Sequence, residues 1–592
     1  MSAPRTDDAR ARAADVAAGF AALAAVAFVV SPLWRDATSW ASSIEARASW
    51  FLLEVDRVTL ALHHELPLWN PYACAGMPQL ASPQSSTLSP LTALVVLFGT
   101  PLGYRLGVTV GLLTALLTLR AWARTLGLSR AASTLAGAGF AACGAFALHL
   151  GDGQWSWLAF ALHPLLLRSL TLALAGRRAH LAWGALAFAL VIFQSPADPT
   201  RLAVVVVALY AIFLGLWGPS ATPGARLLSV ARALGAAAAM LALGAALAAA
   251  RLLPLRELLA AHPRAVVDRD FTSPAELVTT YAARHADRAL GQHVHAFVDL
   301  GNYFGWTGVA LALAGLVFVL ARRRALAPVA AGALACVLLQ LGGGPPLPWG
   351  LLKLLPATGG LEAPSRFTVL AGMFLCVLVG VAVDAAWAAP ARDRGARAPA
   401  RRALGVGVLV LVGAYLVDAA SWNRLPFATT LGAPPPVEEP REDFRLVPGD
   451  ANRMLLYPRM NEGTLRCRAV PAPAISPRVR PTLPAEEYLA DSSAGTVWRV
   501  SWSPDRIELH VDVQRQTVVI VNQNYDAGWT ATGGDLVPSL EDGLLAAEVP
   551  PGERVLTFRY RPRSFVVGAV VSLLALLAGA ALVGSDRRRR LR

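Results

Sequence analysis

The sequence predicts an α-helical polytopic membrane protein of about twelve transmembrane helices, with a β-sandwich-like domain near its C-terminus on the extracytoplasmic side. Three observations predict it. Hydrophobic residues make up 55% of the 592 and charged residues only 16%, whereas a soluble protein typically carries about a quarter charged. Apolar runs of roughly 20 residues, the length that crosses a hydrocarbon core, recur along the chain. Residues 421–563 break that pattern with β-rich alternation between turn signals. The formal net charge of +14 would suggest nucleic acid in a soluble domain. Here the arginines stand in short clusters between apolar runs, which membrane orientation explains better, so no nucleic-acid partner is expected.

Residues 1–34 read as a cytoplasmic N-terminus, with Arg5, Arg10 and Arg12, and a first span. Ser31, Pro32, Leu33 and Trp34 make no small-x-small cleavage site, so a retained anchor is expected rather than a signal peptide. Residues 35–90 form the first extracytoplasmic loop. In it Ile44, Ala48, Phe51, Leu52, Val55, Val58 and Leu62 recur at helical spacing against Glu45, Arg47, Glu54, Asp56 and Arg57. That pattern predicts an interfacial amphipathic helix with its charges on a solvated face. The helix leads into residues 65–90, the stretch around which the chain is organised. Pro67, Pro71, Pro78, Pro83 and Pro90 forbid a single helix there, while Trp69, Asn70, Tyr72, Gln79 and Gln84 supply stacking surfaces and hydrogen-bonding groups.

Residues 91–420 form the multi-span domain, and residues 564–592 a last span with a basic tail. Arginine clusters alternate with acid-bearing turns such as GDGQW and SPADPTR, which places both termini in the cytoplasm. The loop 255–302 is rich in His and Asp, including His285, His293 and His295, but lacks metal-ligand spacing and reads as a solvated cap. The five cysteines show no metal spacing either. Cys74 and Cys467 both fall on the outer side, where a disulfide is one option. In the soluble segment, strands are expected at 496–502, 506–513, 516–522, 544–549 and 554–560, with the sandwich proper beginning near Val497.

LPLWNPYACAGMPQLASPQSS after the first helix, APSRF before a late helix, and NYDAGWTATGG followed by VPPGERVLTFRYRP before the last helix resemble the bacterial YfhO-like membrane proteins. The resemblance covers nearly the whole chain in the same order. It implies the GT-C glycosyltransferase architecture: multi-span enzymes that take a sugar from a polyprenyl-phosphate-linked donor and pass it, with inversion, to an extracytoplasmic glycan or cell-envelope polymer. Such a transfer needs a carboxylate to take the acceptor proton, cationic or divalent-metal (Mg or Mn) stabilisation of the departing phosphate, and a polar pocket near the bilayer surface.

Asp36 matches the family position for the base, and a carboxylate at a helix mouth facing a semi-dry cleft is expected to have a raised pKa. Asp56 is the alternative base. Arg366, followed by Arg256 and Lys353, stands where an outer loop meets a span, a depth suited to the donor phosphate. His63, His64, Trp69, Asn70, Gln79 and Gln84 are expected on the sugar side, with Asp152 and Asp198 as further carboxylates in short outer turns. Trp529, beside Gly528, either offers a sugar-stacking platform or fills the sandwich core. The other functional class is a non-enzymatic transporter or scaffold for lipid-linked glycans. Charges deep within spans would favour it, but Asp384 and Asp418 lie near span ends.

Overall fold

The structure, a computed structural model, describes residues 4–36, 38–218, 222–263, 272–284, 297–343, 347–355, 358–388, 398–436, 438–468, 471–537 and 542–591. His285, His293 and His295 of the expected cap lie outside the described residues. Among the described residues, ten helical segments are long and apolar enough to cross a membrane: Arg12–Trp34, Thr100–Thr125, Arg130–Gly151, Trp155–Leu174, Asp198–Leu216, Pro223–Leu247, Val298–Arg322, Pro364–Trp387, Gly405–Thr429 and Arg563–Arg589. Two shorter apolar helices, Ala179–Gln194 and Arg324–Gln340, stand at the other two expected spans. The Phe367–Ala388 helix occupies the centre. Val369, Leu370, Ala371, Met373, Phe374, Val377 and Val381 on it are all buried, and Phe374 meets Trp122 edge-on at 5.5 Å. Gly315 lets a neighbouring helix approach closely, because a Cβ there would fall 2.0 Å from the Leu378 carbonyl oxygen.

The expected amphipathic helix exists as Ile44–Ala61, capped by Ser43, whose hydroxyl accepts from the Ala46 N–H at 3.0 Å. Both of its faces are covered by protein. Trp50, Leu53, Val55 and Val58 are buried, but so are Glu54 and Asp56 on the face expected to be solvated. Glu54 is covered because Arg459, far along the chain, donates to it at 2.8 Å alongside Arg57 at 3.0 Å and the Thr100 hydroxyl. The helix is therefore enclosed between the spans and the C-terminal region.

That region contains two four-stranded antiparallel sheets. Glu487–Leu489, Thr517–Asn524, Leu544–Val549 and Asp535–Leu536 form one in that order; Gly495–Ser503, Arg506–Val513, Gly552–Tyr560 and Trp529–Thr532 form the other. Along Arg506–Val513 every second residue is buried, the period of a sheet with one face in a core. Leu509, Val511 and Phe558 from one sheet meet Val519, Leu545 and Ala547 from the other. The sandwich starts at Glu487 rather than near Val497, because a three-residue strand is too short for an alternation signal to register. A small parallel pair, Arg445–Val447 with Glu462–Thr464, precedes it. Cys74 and Cys467 are disulfide-bonded across 393 residues of sequence, joining the first loop to this region.

Candidate active site

Residues 65–90 organise the chain, but as a joint rather than an open wall. Trp69 is 1% exposed and inserts into the sandwich core, edge-on to Trp529 at 5.5 Å and tilted against Tyr560 at 4.8 Å. Its backbone N–H donates to the Asp505 carboxylate at 2.7 Å. Burial pushes the Asp505 pKa well up, with Glu65 nearby adding to it. Asn70 donates to Gln79 at 3.1 Å, and Gln79 donates in turn to Asp56 at 2.9 Å. The Asn524 amide holds the loop at the Cys74 carbonyl, 2.7 Å, and the Gly76 carbonyl, 3.1 Å. These contacts correct the expectation that Trp69, Asn70 and Gln79 share an open sugar-facing surface with the histidines. His63 instead packs edge-on to Trp502 at 5.7 Å, while His64 and Gln84 are exposed. Trp529 is 2% exposed, so it fills the core and offers no platform: two opposed sheets must bury a large side chain at that register.

Asp56 is also corrected. It is fully buried, accepting from Gln79 and, at 2.7 Å, from the Thr87 hydroxyl; burial raises its pKa to about 6. Arg251, equally buried, donates from Nη2 to the carbonyls of Ser82 and Ser85, both at 2.6 Å. Asp56 Oδ2 and Arg251 Nε and Nη1 have no hydrogen-bond partner among the described residues. The two charges interact across the loop without forming an ion pair, and together they fix residues 79–87 to the spans.

Accessible chemistry gathers elsewhere on the β-domain side, around two consecutive residues of the Thr100–Thr125 helix. Arg105 is 1% exposed and spends its guanidinium on four carbonyls and a hydroxyl: Leu33 at 2.7 Å, Pro101, Asp36 and Ser39 at 2.8 Å each, and the Ser39 Oγ at 2.9 Å. It thereby pins the turn after the first span. Tyr104 donates to the Leu150 carbonyl at 2.7 Å, pinning the turn that carries Asp152. Asp36 closes an Asx turn, accepting from Thr38 N at 2.9 Å and Thr38 Oγ1 at 2.7 Å. Those bonds hold its pKa below the ordinary value. The raised pKa expected there is corrected: the carboxylate is open to solvent, so hydrogen bonds rather than desolvation decide its acidity.

Asp152 is half-buried, and burial raises its pKa. Gln154 donates to it at 3.3 Å and accepts from His149 Nδ1 at 2.9 Å. His149 stacks on Trp157 at 3.2 Å between ring centroids; its Nε2 is buried with no partner among the described residues, and the ring lies within electrostatic reach of Arg366.

Arg366 and Asp198, expected separately for phosphate and for a second carboxylate, form an ion pair. Arg201 joins Asp198 at 3.5 Å and donates to the Gly360 carbonyl at 2.6 Å. Arg366 Nε is buried with no partner among the described residues. Lys353 donates to the Leu361 carbonyl at 2.7 Å and lies 5.6 Å from the Trp349 ring centroid. Arg256 is exposed. The described residues contain no group of three or more His, Cys, Asp or Glu able to hold a metal. Asp198 turns both its oxygens toward guanidinium groups, so this donor set fits an anion rather than Mg or Mn. Sequence reasoning missed Arg105, Arg251 and His149. The two arginines did carry a signal, since each interrupts an apolar run.

No family profile and no curated protein match the chain. Among solved structures it is similar to the arabinofuranosyltransferase AftD from Mycobacteria, at 19% identity and a TM-score of 0.38 over 64% of this chain and 27% of that one. It is also similar to ArnT from Cupriavidus metallidurans bound to undecaprenyl phosphate, at 13% identity and a TM-score of 0.39 over 69% of this chain and 75% of that one. The chain thus spans little more than a quarter of the length of the mycobacterial protein. YfhO-like membership stays a resemblance carried by the quoted motifs.

Proposed function

We propose that this chain is a GT-C-type membrane glycosyltransferase, moving a sugar from a polyprenyl-phosphate-linked donor to an extracytoplasmic glycan or cell-envelope polymer. The alternation of arginine clusters puts the β-domain side outside the cytoplasm in this reading. The observation that supports it best is an arginine pair, Arg366 and Arg201, gathered on the Asp198 carboxylate at a span end, while Asp36 stands as an exposed carboxylate at the end of the first span.

In this mechanism Asp36 is ionised at neutral pH and takes the proton of the acceptor hydroxyl. The acceptor oxygen attacks the anomeric carbon from the face opposite the phosphate. The anomeric C–O bond breaks, its electron pair leaves with the phosphate, and the configuration inverts. Arg366 and Arg201 hold the departing phosphate oxygens in place of the Asp198 carboxylate, a substitution of one anion for another that keeps both guanidiniums satisfied. Asp152 is a second base candidate, favoured by one observation: its half-buried carboxylate has the raised pKa that Asp36 lacks.

Membranes carrying the protein, incubated with labelled polyprenyl-phosphate sugars, should pass label to an envelope glycan. Asp36→Asn should cut turnover by roughly two to four orders of magnitude while insertion is retained. If Asp36→Asn is near normal and Asp152→Asn fails, the base is Asp152. Absence of transfer by the wild type across donors would end the transferase reading, and normal transfer by both variants would end the assignment of the base to either carboxylate.

A further inference from the structure

At the meeting of the first loop, the segment after the Ala249–Ala261 helix and the β-domain lies a cavity of about 290 Å³. Trp69, His262, Ser476, Tyr525 and Asp526 line it, with Pro78, Pro473 and Pro477 as stiff apolar walls. Gly76 stands at φ +101°, and a Cβ there would fall 2.5 Å from Trp69 Cζ2, so only glycine lets the chain pass the indole at this point.

Asn524 builds the wall and has little left for a ligand: its amide nitrogen donates to two carbonyls and its oxygen accepts from the Ser476 N–H at 3.0 Å. Asp526 differs. Gly528 N at 2.8 Å and Tyr560 Oη at 3.0 Å both donate to its Oδ1, which leaves Oδ2 without a partner among the described residues. His262 and Glu257 lie within electrostatic reach of it. The Arg478–Asp542 ion pair, 2.9 Å, stands at the rim.

We propose that this cavity binds one neutral sugar ring of the acceptor glycan, stacked against Tyr525 and donating a hydroxyl to Asp526. The inference rests on the transferase reading and deepens it by giving the acceptor a place. The volume sits at the small end of ligand sites, about 300 Å³ upward, which suits one ring and excludes a lipid chain. An anionic ligand would meet the Asp526 carboxylate, and a purely apolar one would leave that carboxylate unsatisfied. One aromatic face beside a hydroxyl-accepting carboxylate matches the apolar face and the hydroxyl edge of a pyranose.

The test uses the purified full-length protein in nanodiscs, without donor, and methyl glycosides of glucose, galactose, mannose and N-acetylglucosamine as probes. Saturation-transfer NMR should show saturable binding of at least one, with a dissociation constant on the order of millimolar. Tyr525→Ala should weaken it about tenfold. Ala474→Trp, which fills the cavity without removing a stabilising group, should abolish it. Trp498→Ala, on the exposed strand face where Trp498 stacks on His510, should leave it unchanged. No saturable binding across the panel, or loss in Trp498→Ala with retention in Ala474→Trp, overturns the proposal. Label transfer without glycoside binding overturns the cavity alone; glycoside binding without label transfer overturns the transferase reading alone.

Discussion

Asp56→Asn is the perturbation whose size the structure sets most directly. The carboxylate is wholly buried, and its pKa stands raised from 3.8 to about 6 because desolvation outweighs the Gln79 and Thr87 hydrogen bonds and the attraction of Arg251. At about 1.4 kcal/mol per tenfold change in proton affinity, that difference amounts to about 3 kcal/mol. The sign follows from proton counting. Between the two values the folded state holds the proton more often than the unfolded state, so stability falls as pH rises, and the full penalty is present above about 6. Asparagine keeps an oxygen for Gln79 and Thr87 and has no ionisation to penalise. Thermal unfolding of wild type and Asp56→Asn in nanodiscs, scanned from pH 4 to pH 8, should therefore show a stability gap that moves by about 2.5 kcal/mol in the variant's favour across that range. A gap independent of pH would mean the carboxylate stays ionised in the fold and that Arg251 compensates it in full, refuting the argument from desolvation.

Four further outcomes are expected. Trp529→Ala should destabilise the β-domain by about 3–5 kcal/mol and open it to limited proteolysis; an unchanged melting curve would contradict its 2% exposure. Cys467→Ser should abolish the reductant-sensitive mobility shift on gels and lower stability by about 2–4 kcal/mol, whereas an unaltered shift would mean that Cys74 and Cys467 do not pair. Arg366→Lys should weaken donor binding nearly as much as Arg366→Ala, because an ammonium does not reproduce the planar fork; full rescue by lysine, read as donor affinity, would assign Arg366 a general charge only. Reporter fusions after Arg130 and Arg324 should report cytoplasm and one after Asp450 the outside, and the reverse pattern would remove the orientation on which the proposed chemistry depends.

The sequence by itself determined what local chemistry determines. Apolar run length located the spans, including the two short ones at Ala179–Gln194 and Arg324–Gln340, since burying a backbone in lipid leaves a helix as the only solution for such runs. Alternation located the long strands, with Arg506–Val513 matching residue for residue, and the proline spacing marked residues 65–90 as irregular. Tertiary structure decided which polar groups are buried. The helical period of Ile44–Ala61 showed its apolar face, but the opposite face meets solvent only if nothing else covers it. Arg459 and the folded loop do cover it, so Glu54 and Asp56 ended inside. The Asp198–Arg366 pair, the 393-residue disulfide and the meeting of Trp69 with Trp529 are contacts between segments distant in sequence. No periodicity or spacing encodes them, because whether a charge is solvated, paired or stranded depends on what the rest of the chain brings to it.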